Sequence, residues 1–266
     1  MNLDFHIPCF PLGNYIHSVM CYEGYTGNST FEILLPDGKP QLVITLDDGP
    51  RSVIDRLAKP IPLSNSWLTG VFSKPLTYKS EINASTLSIQ FKPCGLSRFL
   101  EVAASEFTNQ VVETELVVGS TILELREKLM YADSFEKRIK IIEAFFLKKM
   151  VGIDPQKELA ELILNRQTFD EDTLKIWSED YRYSQKHILS SFKKLTGTTP
   201  KKLQTVHRVN KAIALLSQNV PSAQVTYACG FYDQTHFIKK FKDVTSMTPK
   251  AYLEAGKSYP HVINLD

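Results

Sequence analysis

Long apolar runs are missing from this chain, and so are paired cysteines. No stretch approaches the roughly 18 apolar residues that cross a bilayer, and no basic, apolar, small-residue leader opens the sequence. A soluble, unexported, cytoplasmic protein without a membrane partner is therefore expected. Cys9, Cys21, Cys94 and Cys229 are the only cysteines, far apart and with no C-x-x-C pair, which argues against both a disulfide framework and a zinc site. Ordinary buried thiols in a reducing compartment fit better. Histidine is scarce too: His6 and His17 alone occur in residues 1–154, too few for the clustered His/Glu set of a metal-dependent cupin. No phosphate-cradling loop, nucleophile elbow or H-E-x-x-H appears. Neither catalysis, nor a cofactor, nor a metal is expected.

What is present divides the chain in two. Its 266 residues, 43% of them hydrophobic, suit one large or two ordinary domains. The net charge of +2 is unevenly spread. Residues 1–154 carry 15 Lys and Arg against 18 Asp and Glu, and residues 155–266 carry 16 against 11. The C-terminal part is thus the one suited to a polyanion.

The first hundred residues read as strands and turns. Apolar, β-rich runs at 31–35 and 42–46 flank Pro36-Asp37-Gly38, a hairpin signal. Further β-leaning segments at 66–72, 76–82 and 86–91 point to an antiparallel barrel or sandwich. Helical periodicity follows at 97–107, 120–130 and 134–150, the last with Phe135, Ile139, Ile142 and Phe146 on one stripe. That stripe is expected to pack on its own barrel or on a second subunit. Gly, Asp and Pro in "VGIDPQ" at 151–156 mark a boundary, giving a β-rich regulatory or assembly domain over 1–153 and an all-α domain over 154–266. The fold class expected is α+β.

Beyond the boundary the pattern is helical and repeats itself. "YRYSQKHILSSFKKLTGTTPKKL" (181–203) and "GFYDQTHFIKKFKDVTSMTPKAY" (230–252) share a turn and a capping residue, Ser184 or Asp233. Apolar residues follow four and eight positions later, Ile188 and Phe192 in one copy and Phe237 and Phe241 in the other, and both end in Thr-Pro. Each copy reads as helix, tight turn, helix, with Gly230 suited to the left-handed turn of the second. Between them 202–217 can form an amphipathic helix through Leu203, Val206, Val209, Ile213 and Leu216, of a length that spaces two recognition helices by about one DNA turn, roughly 34 Å.

These residues carry a resemblance. Arg208, Ala212 to Leu216, "GFYDQTHFIKKFK" and the closing "TPKAY" make residues 155–254 similar to the DNA-binding domain of AraC/XylS-type transcriptional regulators. The first unit departs most from that pattern: Arg182 stands where the family's turn has Gly, Trp177-Ser178 where Leu-Ala is common, and Ser190 where a basic residue is frequent. Thr226 replaces an Ala and Ser246 a Gly. The N-terminal half resembles, less specifically, the β-rich effector or assembly domain of such regulators. The resemblance implies double-stranded DNA as partner, two recognition helices in successive major grooves, control through the N-terminal domain, and RNA polymerase, a small-molecule effector and a homodimer as further candidate partners. "KPCGL" around Cys94 resembles the reactive Pro-Cys of alkyl-transfer repair proteins, but without their zinc cysteines.

The outward sets on the two recognition helices supply the site candidates. For base contacts they are Lys186, His187, Leu189 and Ser190 on the first, and Gln234, Thr235, His236, Ile238 and Lys239 on the second. Lys193, Lys201, Lys202, Arg208 and Lys242 are candidates for phosphate, Arg208 equally for a salt bridge under the second unit. His187 and His236, three residues past their caps, are as readily local structure as DNA contacts. Tyr22, Phe31, Trp67, Tyr78 and Phe91 either line an effector cavity or fill a core. The alternative is an effector-binding or protein-interaction module whose helices do not read DNA; an exposed basic face discriminates the two.

Overall fold

A computed structural model describes residues 2–55, 58–150, 173–259 and 261–265. The boundary expected at 153/154 lies outside the described residues, as does any helix within 155–172.

Two antiparallel sheets make up the N-terminal part. The first contains β1 (Asn2–His6), β2 (Ile16–Tyr25), β4 (Gln41–Thr45), β7 (Ser66–Thr69), β9 (Ala84–Phe91) and β10 (Val111–Glu113), in the order β1-β2-β9-β4-β7-β10. The second contains β3 (Phe31–Leu34), β5 (Arg51–Ile54), β6 (Pro60–Leu63) and β8 (Leu76–Lys79), together with two strands from the far end of the chain. Residues alternate between the faces of the first sheet. Val19, Cys21, Leu42, Ile44, Leu68, Leu87, Ile89 and Phe91 form an apolar face. The opposite face carries Tyr22, Gln41, Thr86, Ser88 and Gln90, whose hydrogen bonds include Tyr22 Oη to Glu81 at 3.0 Å and Gln90 Nε2 to Asp37 at 3.2 Å.

The Pro36-Asp37-Gly38 signal is a turn but not a hairpin. Asp37 Oδ1 accepts from Lys39 N at 3.0 Å and Gly38 takes φ +78°. The strands on either side nonetheless enter different sheets: β3 pairs with β8, and β4 with β7 and β9. The physical reason is that they serve different cores. Leu42 and Ile44 belong to the core of the first sheet, whereas Leu35 belongs to a core built by the C-terminal helices.

Three helices follow, α1 (Glu115–Val118), α2 (Thr121–Tyr131) and α3 (Phe135–Lys149), the last capped by Ser134, which accepts from Lys137 N. Residues 97–107 are not the expected helix but two 3₁₀ turns, Gly95–Arg98 and Ala104–Phe107. The buried Leu96, Phe99, Ala104 and Phe107 mimic a helical period because an irregular segment is packed down on the sheet. Gly70 makes that possible, since a Cβ there would meet the Phe107 carbonyl oxygen at 2.0 Å. Ile139, Ile142 and Phe146 are buried in the core of their own sheet with Ile122, Leu125 and Leu129 of α2, and Phe135 packs against it. The expectation that this stripe meets a second subunit is therefore corrected: the apolar face of the sheet needs covering, and α2 and α3 cover it.

The C-terminal helices are α4 (Thr173–Tyr181), α5 (Gln185–Thr196), α6 (Pro200–Ser217), α7 (Ser222–Ala228), α8 (Gln234–Thr245) and α9 (Pro249–Glu254). The helical pattern then ends, against expectation. Lys257 Nζ donates to the carbonyls of Tyr252 at 2.7 Å and Ala255 at 2.9 Å and lies 4.7 Å from the Tyr252 ring centre, closing α9. β11 (Lys257–Tyr259) and β12 (Val262–Leu265) follow, and β12 joins the second sheet beside β3, Val262 opposite Leu34 and Leu265 opposite Phe31. A four-residue strand is too short to announce itself by period.

Ile263 of β12 and Leu35 after β3 sit in one core with Val206, Val209, Phe237, Phe241 and Tyr252. The turn before β4 rests on α6, where a Cβ at Gly38 would come 3.0 Å from Leu203 and 3.4 Å from Val206. The two parts of the chain thus share an apolar core and a backbone ladder. Ile263→Ala should cost about 2–4 kcal/mol through lost burial and a residual cavity, read by urea unfolding of the full chain.

The same contact is titratable. Burial first, and then Lys39, lowers His207 below the ordinary value of 6.5. Burial also lowers His261, with Lys39 adding to the shift and Asp37 opposing it. Histidines depressed in the folded state bind protons preferentially when unfolded, so their contribution is fully present above pH ~6.5 and is lost as pH falls below it. Chemical unfolding between pH 7 and 5 should show a declining stability, with a shallower decline in His207→Gln and His261→Gln.

Candidate nucleic-acid interface

The repeat in the sequence is a repeat in structure down to single hydrogen bonds. Ser184 accepts from His187 N at 3.2 Å and Asp233 accepts from His236 N at 2.7 Å, so both reading helices, α5 and α8, begin on a side-chain cap. At their far ends the Thr196 hydroxyl donates to Phe192 O at 2.8 Å and accepts from Thr198 N at 3.2 Å. Thr245 does the same with Phe241 O at 2.8 Å and Met247 N at 3.3 Å. Thr199 and Thr248 then cap the next helices, each with Pro in its first turn.

The departures from the family pattern keep the same backbone. Arg182, in the turn before α5, takes φ +53°, as Gly230 takes φ +71° in the turn before α8. Ser246, after α8, is left-handed at φ +63°, as Gly197 is after α5. These turns need the left-handed conformation whatever residue fills them.

Burial separates the faces. Ile188, Phe192 and Leu195 of α5 pack with Trp177 and Leu203, and Phe237, Phe241 and Val244 of α8 pack against α6 and Tyr252. The opposite faces are exposed: Lys186, His187, Leu189, Ser190 and Lys193 on α5, and Gln234, Thr235, Ile238, Lys239 and Lys242 on α8. No carboxylate interrupts the second set before Asp243. Lys201 and Lys202 are exposed at the start of α6. The Arg208 guanidinium lies beside the Gly230 turn, near where a Cβ would sit at 3.8 Å.

The two histidines differ. His187 stacks on Tyr183, ring centres 4.8 Å apart, out on the exposed face. His236 is half-buried, with its ring edge-on to Phe231 at 5.7 Å.

Sequence reasoning missed three exposed residues. Gln185 occupies the position in α5 that Gln234 occupies in α8, and Tyr183 and Tyr232 immediately precede the two caps. The signal was in the alignment of the two copies: Tyr183 matches Tyr232 and Gln185 matches Gln234. Lys211, also unremarked, donates to Ala228 O at 2.7 Å and closes α7.

The N-terminal part touches the ends of both reading helices. Thr108 Oγ1 donates to Gly197 O at 2.7 Å at the end of α5, and Lys74 Nζ donates to Asp243 O at 2.5 Å near the end of α8. Elsewhere in that part, Phe91 fills the core of the first sheet, and Tyr22 and Tyr78 join a buried polar layer with Glu32, Glu81 and Arg51. Phe31 and Trp67 are half-buried in their strands. Cys94 is enclosed with Trp177, Ile188 and Phe192, and burial pushes its thiol far up, which opposes thiolate chemistry. Among the described residues no helix is long and apolar enough to cross a membrane, and no cluster of three or more metal-ligating side chains occurs.

Two capped helix-turn-helix units thus share one connecting helix beside a two-sheet β part. Residues 177–255 match the family described as "Helix-turn-helix domain", and residues 4–113 match a "Domain of unknown function (DUF6597)". The C-terminal part of the chain is thus an AraC-type helix-turn-helix domain. A curated relative, the "Uncharacterized HTH-type transcriptional regulator YbfI" of Bacillus subtilis (strain 168), is 28% identical over 130 residues, covering 48% of this chain and 47% of that protein. The chain therefore spans about half the length of the curated relative it matches. Among solved structures, ToxT from Vibrio cholerae O395 is 13% identical with a TM-score of 0.46, over 89% of this chain and 96% of that one. Unsaturated fatty acid bound wild-type ToxT from Vibrio cholerae strain SCE256 is 14% identical with a TM-score of 0.44, over 90% and 95%.

Because Arg182 and Ser246 hold a conformation in which a Cβ is unfavourable, Arg182→Gly and Ser246→Gly should each stabilise the chain, by up to about 1 kcal/mol. Asp233→Ala should cost about 1 kcal/mol. Thermal unfolding of the three variants checks both signs.

Proposed function

We propose that this protein is a sequence-specific DNA-binding transcription regulator that sets α5 and α8 in successive major grooves. The observation that carries the reading is the pair of like-built helices, each with one face buried and the other exposed, polar and basic, on a single connecting helix. α6 has 18 residues, about 27 Å at 1.5 Å per residue, and with the radii of the units it joins this suits a spacing of roughly one DNA turn. A protein-interaction module would have no need for two carboxylate-free basic faces.

The roles differ between the units. Gln234 can pair bidentately with adenine, Lys239 can reach guanine O6 and N7, and Thr235 adds a hydroxyl or methyl contact. Ser190 and Leu189 offer less, so Lys186 and Lys193 chiefly hold phosphates and set register, joined by Lys201, Lys202, Arg208 and Lys242. Gln185 adds a further base-contact candidate on α5. His187, stacked on Tyr183, is assigned to the phosphate side, and His236 to structure. Contact with RNA polymerase belongs to the same reading, since a regulator bound at a promoter acts through it. So does control from the N-terminal domain, for which the Thr108 and Lys74 contacts to the reading-helix ends provide a route. A small-molecule effector acting through the N-terminal part belongs to the same reading. No catalytic role is proposed.

The test is binding of the full chain to a selected duplex and a scrambled one at two salt concentrations. Log K should fall linearly with log[salt], by about 0.9 per phosphate contact. Gln234→Ala or Lys239→Ala should cost roughly 1–3 kcal/mol on the preferred site and relax base preference there, while Lys186→Ala weakens all sequences alike and lowers the salt slope by about one. Ser190→Ala should change little. DNA affinity that is absent or independent of salt would remove the reading.

A further inference from the structure

With the α3 stripe consumed by its own sheet, the N-terminal part still exposes apolar side chains, among them Leu123, Met130 and Tyr131 on α2, and one such surface stands on an open sheet edge. It lies on β1, the terminal strand of the first sheet, which pairs with β2 on one side and with no other strand among the described residues. Leu3 is 52% exposed and Phe5 54%, with Ile7 at 63% just after the strand and Phe10 at 85% in the loop that follows. Natural edge strands are usually blunted by lysine, proline or a bulge, because an open row of N–H and C=O groups recruits another strand. β1 has none of these within Asn2–His6, and its apolar side chains alternate with Asp4 and His6.

The order of those residues selects the partner. In an antiparallel pair, residues directly opposite share a face and interact. If β1 meets a copy of itself about a two-fold axis at Phe5, then Phe5 faces Phe5, Leu3 faces Ile7, and Asp4 faces His6. Apolar meets apolar, and acid meets base. Moving the axis to Asp4 sets two carboxylates against each other, and moving it to His6 sets imidazole against imidazole. An axis between Asp4 and Phe5 puts each charged side chain opposite an apolar one. A foreign strand would need no such palindrome, whereas a second copy does. Pro8 would lie opposite Asn2, where its missing N–H ends the ladder. His6 already lies 3.3 Å from Glu143 of α3, so the copy's Asp4 would extend a line of alternating acid, imidazole and acid.

We infer that β1 is a homodimerisation edge, pairing antiparallel with β1 of a second copy in the register centred on Phe5 and joining the first sheets of two chains into one. The inference does not depend on DNA binding. A strand pair with a few flanking side chains is small beside the ~1,200–2,000 Å² of standard stable interfaces, so the association belongs in the micromolar range.

Light scattering of the full chain from 1 to about 50 μM should show a concentration-dependent dimer, with Phe5→Lys weakening it about tenfold or more at unchanged circular dichroism. Register is read by crosslinking in a Cys9→Ser background, because Cys9 is the exposed cysteine and Cys21, Cys94 and Cys229 are buried. On mild oxidation Phe5→Cys should form a covalent dimer. Leu3→Cys should not do so alone, but should when mixed with Ile7→Cys. A strict monomer throughout that range would overturn the inference. So would a dimer that Phe5→Lys leaves intact, or a Leu3→Cys homodimer forming as readily as the Phe5→Cys one.

Discussion

The burial of α6 is the constraint on which the helical architecture depends. Leu203 at its start belongs to the core of the first helix-turn-helix unit, while Val206, Val209, Ala212, Ile213 and Leu216 belong to that of the second. The same helix receives the turn at Gly38 and shares its core with Leu35 and Ile263. Burying a side chain of this size contributes about 1.5–3 kcal/mol, so one helix gathers apolar contacts from three directions. Two units that share a helix on this scale cannot rotate independently without exposing part of a common core. The distance between the reading helices is therefore a property of the packed helix rather than of a flexible linker.

On that frame the N-terminal part acts as a brace. β12 pairs with β3, Thr108 holds the end of α5 and Lys74 holds a carbonyl near the end of α8. Both side chains donate to C-terminal carbonyls, which lack partners within their own helix and lie at the negative end of the helix dipole. The exposed faces that carry Lys186, Gln234 and Lys239 are left clear. Rearrangement within the β domain would reach these two helices at their ends, without any change in the residues on their exposed faces.

The polar layer between the sheets fits such coupling. The first sheet directs its apolar residues toward α2 and α3. Its other face bears hydroxyl and amide groups, and Arg51 Nε lies 2.8 Å from Glu81 Oε1 nearby. A layer joined by directional hydrogen bonds has fewer equivalent packings than an apolar one.

Much of the helical part was legible in the sequence because its signals are local. A cap acts within three residues, an amphipathic stripe within two turns, and a Thr-Pro pair at a single helix start, so Ser184, Asp233, Phe192, Phe241 and Pro249 could each be placed from their neighbours alone. The exposed reading faces follow from the same period. The β part was less legible. Its turn at Pro36-Asp37-Gly38 is local, but which sheet each flanking strand enters depends on partners far along the chain, β8 and β12 for β3 and β9 and β7 for β4. The apparent helix at 97–107 was a packing pattern rather than a backbone one, and β12 was too short to carry a period. What the sequence by itself determined is the pair of capped, two-faced helices and the chemistry they expose, since those arise from interactions between near neighbours. Only the tertiary structure decided that the α3 stripe is spent on its own sheet, that the last strand returns to the first domain, and that both reading helices are held at their ends, because each rests on contacts between residues that the chain keeps far apart.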